Sequence, residues 1–385
     1  MAINCYIAVC YHVIIKVLIF MDPDLAKKTY HILKRTFPQY NKYSQQTLAE
    51  LLLAMFSHQR LTLRHIASRL LGTTNVKHKL KRLQNFLDKI TLDEQFWQSY
   101  VQTLFCLPYM KLRSQGRITV LIDATSLKDD VWILAASISY RGRSLPVYLR
   151  QWKGVNTTYD YWKRVEEFVG QLKALLPDDL DYVLIGDGGF EGARMFALCR
   201  RVGWDQVIRI NGTYSIKTKG GREYIQLSLF DDGYYRQAII GQTNPTKGLN
   251  LAVCSSADSE RRWYLATSVD PEKAAKDYTR RMWIEQTFKD LKSVLKWETY
   301  TAKFPAHRRL EKLVAISCLS YGFQLCLGTQ VTVPPSEEKK TSLLQRFRHI
   351  YSSAYRKTKQ IYSRMVAAFY VRHYRNSHTF ARLYG

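Results

Sequence analysis

Two short runs of apolar, β-branched residues, each closed by an aspartate, constrain this chain more than any other feature. Ile118-Thr119-Val120-Leu121-Ile122 ends in Asp123, and Tyr182-Val183-Leu184-Ile185-Gly186 ends in Asp187. Neither run is long enough for a stable helix, so both read as buried strands of a sheet. An aspartate just past the last strand residue stands at the carboxyl edge, where open α/β sheets hold their sites. Turn and helix-cap aspartates occupy the same position, so either residue alone is ambiguous. Gly188-Gly189-Phe190 follows Asp187 and lets backbone approach closely at that edge.

A third acid comes with a different pattern. From Tyr278 to Lys292 the sequence has helical periodicity. At about 100° per residue, Tyr278, Arg281, Glu285 and Lys292 fall within an arc of roughly 60°. Ile284, Phe288, Leu291 and Leu295 form an apolar stripe beside them that can anchor the helix to a core. The expected product is one ridge carrying an acid, two cations and a phenol. A solvated salt-bridge face has a similar look, because Arg281 and Glu285, and Glu285 and Lys289, are i,i+4 pairs. Two strand-end carboxylates with one helix carboxylate make a three-acid site suited to hard divalent cations, which prefer oxygen ligands.

In their spacing Tyr278, Arg281, Glu285 and Lys292 match, without a gap, the Y-x2-R-x3-E-x6-K signature of DDE transposases from bacterial insertion sequences. Asp123 in Ile-Asp-Ala-Thr and Asp187 in Gly-Asp-Gly-Gly-Phe look like the two other catalytic acids of that family. Over roughly residues 110 to 330 the chain most resembles the insertion sequence four family. The resemblance implies a ribonuclease H-like α/β catalytic core in which Asp123, Asp187 and Glu285 hold two Mg²⁺ ions, with Mn²⁺ a possible substitute. It also implies that Tyr278, Arg281 and Lys292 contact the transposon end, Arg bidentately and Lys as a point charge.

Between the acids the elements fit such a core. Val131 to Tyr140 and Ser144 to Leu149 read as strands turned by Arg141-Gly142-Arg143, and Tyr161 to Leu176 as an amphipathic helix closed by Pro177. The interval from Asp187 to Glu285 is longer than one helix and one strand require. Short runs separated by Gly, Asp, Asn and Pro fill it, which predicts a β-rich insertion over 205–268 interrupting a core of 108–204 and 269–330. Within it, Trp263 occupies the place of an aromatic that stacks on a flipped base in a relative of this type, and a core tryptophan in a half-buried strand reads equally well. Arg209 is placed for a backbone phosphate, or is an outward strand cation.

Composition points to nucleic acid independently. Lys and Arg number 58 against 32 Asp and Glu, a net charge of +26, which a globular enzyme rarely carries without a polyanionic partner. The basic residues run the whole length, unlike a membrane-binding patch. The seven cysteines show no C-x2-C pair and no zinc spacing, so they read as reduced thiols of a cytosolic protein. Residues 1–20 are strongly apolar yet lack a basic n-region and a cleavage site, and Asn4, His12 and Lys16 weaken a membrane span. The expectation is translation beginning at Met21. A helical domain over 21–107 follows, with Ser44 as N-cap of 45–56, a helix over 62–71 and a basic third helix over 75–87. These resemble a DNA-end recognition module, or equally an all-α packing domain. Within a basic helical C-terminal segment, 331–385, Pro334-Pro335-Ser336 marks a linker before the stretch from Lys339 onward, which has eleven Lys and Arg and no acid.

The expectation is therefore a transposase of a bacterial cytoplasm, nucleoid-associated and not membrane-bound. It would cut at the terminal inverted repeats of its element, join them to target DNA, and act as a homodimer in a synaptic complex. A catalytically silent, transposase-derived DNA-binding protein or repressor is the main rival. Another ribonuclease H-like nuclease and a basic membrane-associated protein are the others.

Overall fold

The computed structural model describes residues 33–57 except 35, 62–70, 74–106, 116–127, 131–153, 158–256, 259–293, 297 and 307–328. The apolar leader 1–20 and the basic segment 331–385 lie outside the described residues. The chain divides into two compact units, one of residues 1–90 with 320–385 and one of Thr91–Leu319.

In the smaller unit, α1 (Lys42–Ser57), α2 (Leu63–Ala67) and α3 (Val76–Lys89) pack together. Helix α1 starts earlier than its sequence suggests, because Asn41 rather than Ser44 is the cap: its side chain accepts from the Ser44 N–H at 2.9 Å. Asn75 caps α3 in the same way, accepting from the His78 N–H. Leu83, Phe86 and Leu87 of α3 are buried, while Lys77, His78, Lys81 and Lys89 stand in solvent, so the basic face is real. Two charges inside are satisfied: Lys79 donates to the Leu70 carbonyl at 2.7 Å, and Arg82 pairs with buried Glu50.

In the larger unit a single mixed sheet organises everything. It has ten strands, in the order β3-β2-β1-β4-β5-β10-β9-β8-β6-β7. β1 (Ile118–Leu127), β2 (Val131–Tyr140) and β3 (Arg143–Lys153) form an antiparallel meander. The β2–β3 turn holds Arg141 at φ 44° and Gly142 at φ 78°, the two positive values that a two-residue hairpin loop demands. β4 (Tyr182–Gly186) then pairs parallel to β1, and β5 (Asp205–Arg209) parallel to β4. This half is compatible with a ribonuclease H-like core. Helices α4 (Glu94–Phe105) and α5 (Thr158–Leu175) pack with it, as does α6 (Ala193–Val202). Helix α4, expected in the N-terminal domain, belongs to this unit, and Tyr100 fixes it by donating to the Pro146 carbonyl at 2.9 Å.

The strands predicted within 205–268 extend that same sheet. β5 lies in its parallel centre, and β6 (Ser215–Lys217), β7 (Ile225–Gln226), β8 (Gly233–Ile240), β9 (Thr246–Ser256) and β10 (Ser259–Thr267) continue it antiparallel from β5 outward. Helix α7 (Pro271–Tyr278) covers β8, β9 and β10, and α8 (Met282–Ser293) packs on β1 and β3. The last helix among the described residues, α9 (His307–Gly328), begins in this unit, where Ser317 accepts from the indole of Trp297 at 2.8 Å.

Two expectations are corrected here. Asp123 does not end its strand: β1 runs on to Leu127 because Ala124 to Leu127 pair with Leu134 to Val131 of β2. The ridge from Tyr278 to Lys292 is not one regular helix either. A 3₁₀ turn, Thr279–Arg281, separates α7 from α8. Its cause is local, since the Thr279 hydroxyl donates back to the Lys276 carbonyl at 2.8 Å and tightens the chain there.

Candidate active site

Each acid reaches the sheet edge by a different device. Asp123 is paired with Ala135 of β2, yet it lies two residues beyond Leu121, the last β1 residue in register with β4. Its carboxylate is therefore held by a continuous ladder on one side and stands clear of β4 on the other. Asp187 directly follows β4 and caps a 3₁₀ turn, Gly188–Phe190, accepting from the Gly189 N–H at 2.9 Å. Glu285 projects from the first turn of α8.

Side-chain bonds seat α8 on the face that carries Asp123. The Thr287 and Ser144 hydroxyls meet at 2.8 Å, and Arg143 of β3 pairs with Asp290 at 3.2 Å. Ile284, Phe288 and Leu291 are buried beneath, as the apolar stripe predicts. Just upstream, Arg280 bonds both Asp277 at 3.0 Å and the Thr119 hydroxyl of β1 at 3.1 Å. Together these contacts tie the helix to β1 and β3 on both sides of Glu285.

Arg281 is the centre of the arrangement. Its guanidinium lies 3.7 Å from Asp123 and 3.8 Å from Asp187, and it also pairs with Glu285. With a side chain only 11% exposed, it is an enclosed cation shared by three carboxylates. Sequence spacing reveals only the i,i+4 contact with Glu285; the other two depend on the fold. Burial raises Asp123 to about 6, and repulsion from Asp187 adds to the rise, while Arg281 and the Ala124 N–H act against it. Three oxygen-donor side chains around one positive charge have the chemistry for a hard divalent cation. Among the described residues, however, no group of three or more His, Cys, Asp and Glu is disposed to hold a metal ion. The cation at the centre is Arg281.

The remaining candidates divide. Tyr278 is buried, not on an exposed ridge, and its hydroxyl makes no hydrogen bond of good geometry. Burial raises that phenol to about 12, with Arg281 and Arg209 beside it pulling the other way. The ring of Trp263 packs edge-to-face on Tyr278, with centroids 5.2 Å apart. Arg209, opposite Leu265 across the β5–β10 ladder, lies between Tyr278 and Glu191. Thus Tyr278, Trp263 and Arg209 form a second group joined to the acids through Arg281. Lys292 is not drawn into either group, since it lies two turns past Glu285, about 10 Å along the axis.

Tyr161, which no spacing marked, belongs here too. Its hydroxyl donates to the Gly189 carbonyl at 2.8 Å, and Asp187 and Asp123 are close enough to help burial hold the phenol protonated. A cavity of about 460 Å³ lies elsewhere, lined by residues such as Trp97, Tyr148, Arg150 and Glu311, and contains none of the acids.

Residues 163–321 match the family model described as a transposase DDE domain. The match supports a DDE transposase, and with it transposase or endonuclease chemistry on DNA. It spans Asp187 and Glu285 but begins after Asp123, whose inclusion rests on the geometry around Arg281. No curated protein matches the chain. Among the described residues, no helix is long and apolar enough to cross a membrane.

Proposed function

We propose that this protein is the transposase of a bacterial insertion sequence, of the kind resembling the insertion sequence four family. On this reading it binds the terminal inverted repeats, cuts at the element ends and joins them to target DNA. The observation that carries the reading is the convergence of Asp123, Asp187 and Glu285 on Arg281, within a chain that matches a transposase DDE domain.

Asp123, Asp187 and Glu285 are the residues that would hold divalent cations, whose charge would take the place that Arg281 fills between them. Two Mg²⁺ ions bound there would activate the attacking oxygen and stabilise the leaving 3′ oxygen of an in-line displacement at phosphorus. Arg281, beside the three acids, would bind a phosphate through two N–H groups. Tyr278, whose hydroxyl is enclosed beside Arg209, would reach a phosphate oxygen only where DNA binding opens that pocket. Arg209 and Lys292 add positive charge along the strand, and Trp263 offers a ring to an extruded base. The smaller unit, with the exposed cations of α3, holds the duplex next to the repeat end. A homodimer in a synaptic complex and a cytoplasmic, nucleoid-associated location belong to the same reading.

The test uses the repeat ends flanking the element as DNA substrate, with Mg²⁺ present, and compares wild type with Glu285→Ala. The expected outcome is binding by both proteins and a loss of cutting of at least about 10³-fold in the variant. Binding by both with cutting by neither identifies a silent, DNA-binding descendant instead.

A further inference from the structure

Asp187 has two jobs at once, and the structure separates them by oxygen atom. Oδ1 accepts from the Gly189 N–H at 2.9 Å and closes the 3₁₀ turn, while Oδ2 faces Arg281 at 3.8 Å. The direction in which Oδ2 points therefore depends on how firmly Gly189 is held between its two peptide units. Two backbone bonds brace the turn, from Phe190 N–H to the Asp187 carbonyl at 3.1 Å and from Glu191 N–H to the Gly188 carbonyl at 3.3 Å. Neither engages the Gly189 carbonyl. That group is held by Tyr161 alone among the bonds described, at 2.8 Å.

Tyr161 is built to hold still. It lies in α5, and its ring touches Trp132 of β2 at 5.5 Å, Trp162 at 5.5 Å and Phe190 of the turn itself at 6.5 Å. Phe190 is 1% exposed, so ring and turn share one anchored seat. Space is short on the carboxylate side as well. A Cβ on Gly189 would lie 3.1 Å from Asp187 Oδ1, tighter than most real contacts, so the fold-back of the carboxylate relies on glycine there. Gly189 is thus held on both sides: its N–H, in the Gly188–Gly189 peptide, by Asp187, and its C=O, in the Gly189–Phe190 peptide, by Tyr161.

We propose that Tyr161 is a positioning residue for the DNA-cleaving site: by holding the Gly189 carbonyl, it aims the Asp187 carboxylate at the acid cluster. The inference rests on the transposase reading for its catalytic consequence, but its structural half stands on its own. A carboxylate that swings by an ångström is badly placed for chemistry, and such displacements cost up to about 100-fold in rate.

Tyr161→Phe keeps the ring and removes only the donor, so packing on Trp132 and Phe190 survives. Two readouts are taken on the full-length protein. Amide hydrogen exchange is expected to speed up about tenfold at Gly189, with β1 and β4 unchanged. Cutting of repeat-end DNA is expected to fall between about 10-fold and 100-fold in kcat, with DNA affinity within twofold of wild type. Gly189→Ala attacks the same carboxylate from the other side and is expected to give the same split. Unchanged exchange at Gly189 in Tyr161→Phe overturns the inference, as does wild-type cutting by that variant. A wild type that cuts no DNA sinks the transposase reading instead, and the exchange result still decides what Tyr161 does.

Discussion

The parallel centre of the large sheet and its antiparallel wing are one hydrogen-bonded surface built to opposite standards. All five residues of β4 are buried, and β1 is buried from Ile118 through Asp123. In the wing, β8 alternates between inside and outside and both residues of β7 are exposed. Ile225, Leu229 and Tyr234 stand 49%, 73% and 49% exposed there. A strand covered on both faces has one register and little freedom, whereas a strand covered on one face tolerates adjustment. Asp123 and Asp187 are borne by the centre, and the aromatic and cationic neighbours Trp263 and Arg209 stand where centre and wing join.

The contrast can be broken most forcefully at Arg281. Removing it in Arg281→Ala leaves three carboxylates facing one another with no enclosed cation, and is expected to cost about 3–5 kcal/mol of stability in metal-free buffer. Urea denaturation measures this, and a loss below about 1 kcal/mol would show that the bridge does not hold the acids together. Adding a divalent cation is expected to recover most of the loss, because it supplies the missing positive charge.

Asp123 gives the next largest effect, through pH. Its folded value of about 6 is above its ordinary 3.8, so the folded protein binds that proton more tightly than the unfolded chain does. The associated stability is complete below about pH 4 and disappears as the pH rises through about 6, a total of about 3 kcal/mol. Asp123→Asn stays neutral throughout. The stability of wild type relative to this variant is therefore expected to drop by about that amount between pH 4 and pH 8 without metal. A pH-independent difference would remove burial as the governing cause.

The smallest effect belongs to the wing. Leu229→Ala takes atoms from a side chain already in solvent and is expected to shift stability by no more than about 0.5 kcal/mol. A shift above 2 kcal/mol in the isolated protein would mean that the wing is covered in solution and that its contrast with the centre is false.

Much of this was legible from residues alone, for identifiable reasons. Strands β1, β2 and β4 announce themselves by unbroken apolar, β-branched runs, and α8 by its stripe of Ile284, Phe288 and Leu291. The continuation of β1 through Ala124, Thr125 and Ser126 was hidden because those residues look like an exit from the core, and only pairing with β2 keeps them extended. The 3₁₀ turn after Tyr278 was hidden because one threonine hydroxyl overrode a good helical period. The signature residues gave Glu285 with Arg281 as an i,i+4 pair, but no periodicity could bring Arg281 to Asp123 and Asp187. Tyr161 carried no mark at all, since its role is one bond to a backbone carbonyl in a distant turn.

The position of Asp123 inside a paired strand has a consequence for how such a chain can change length over generations. Strand side chains alternate, so Asp123 shares its face with Ala135 and Leu149, while Ile122 shares the other with Ala136 and Tyr148. Losing one residue between Ile118 and Asp123 would carry the carboxylate through the sheet to the side of Tyr148. The outer hairpins obey a different arithmetic: whole pairs of strands can be added or lost beyond β10, widening or narrowing the sheet while every acid keeps its place. A change of length in β1 therefore moves an acid, whereas one in the outer strands does not.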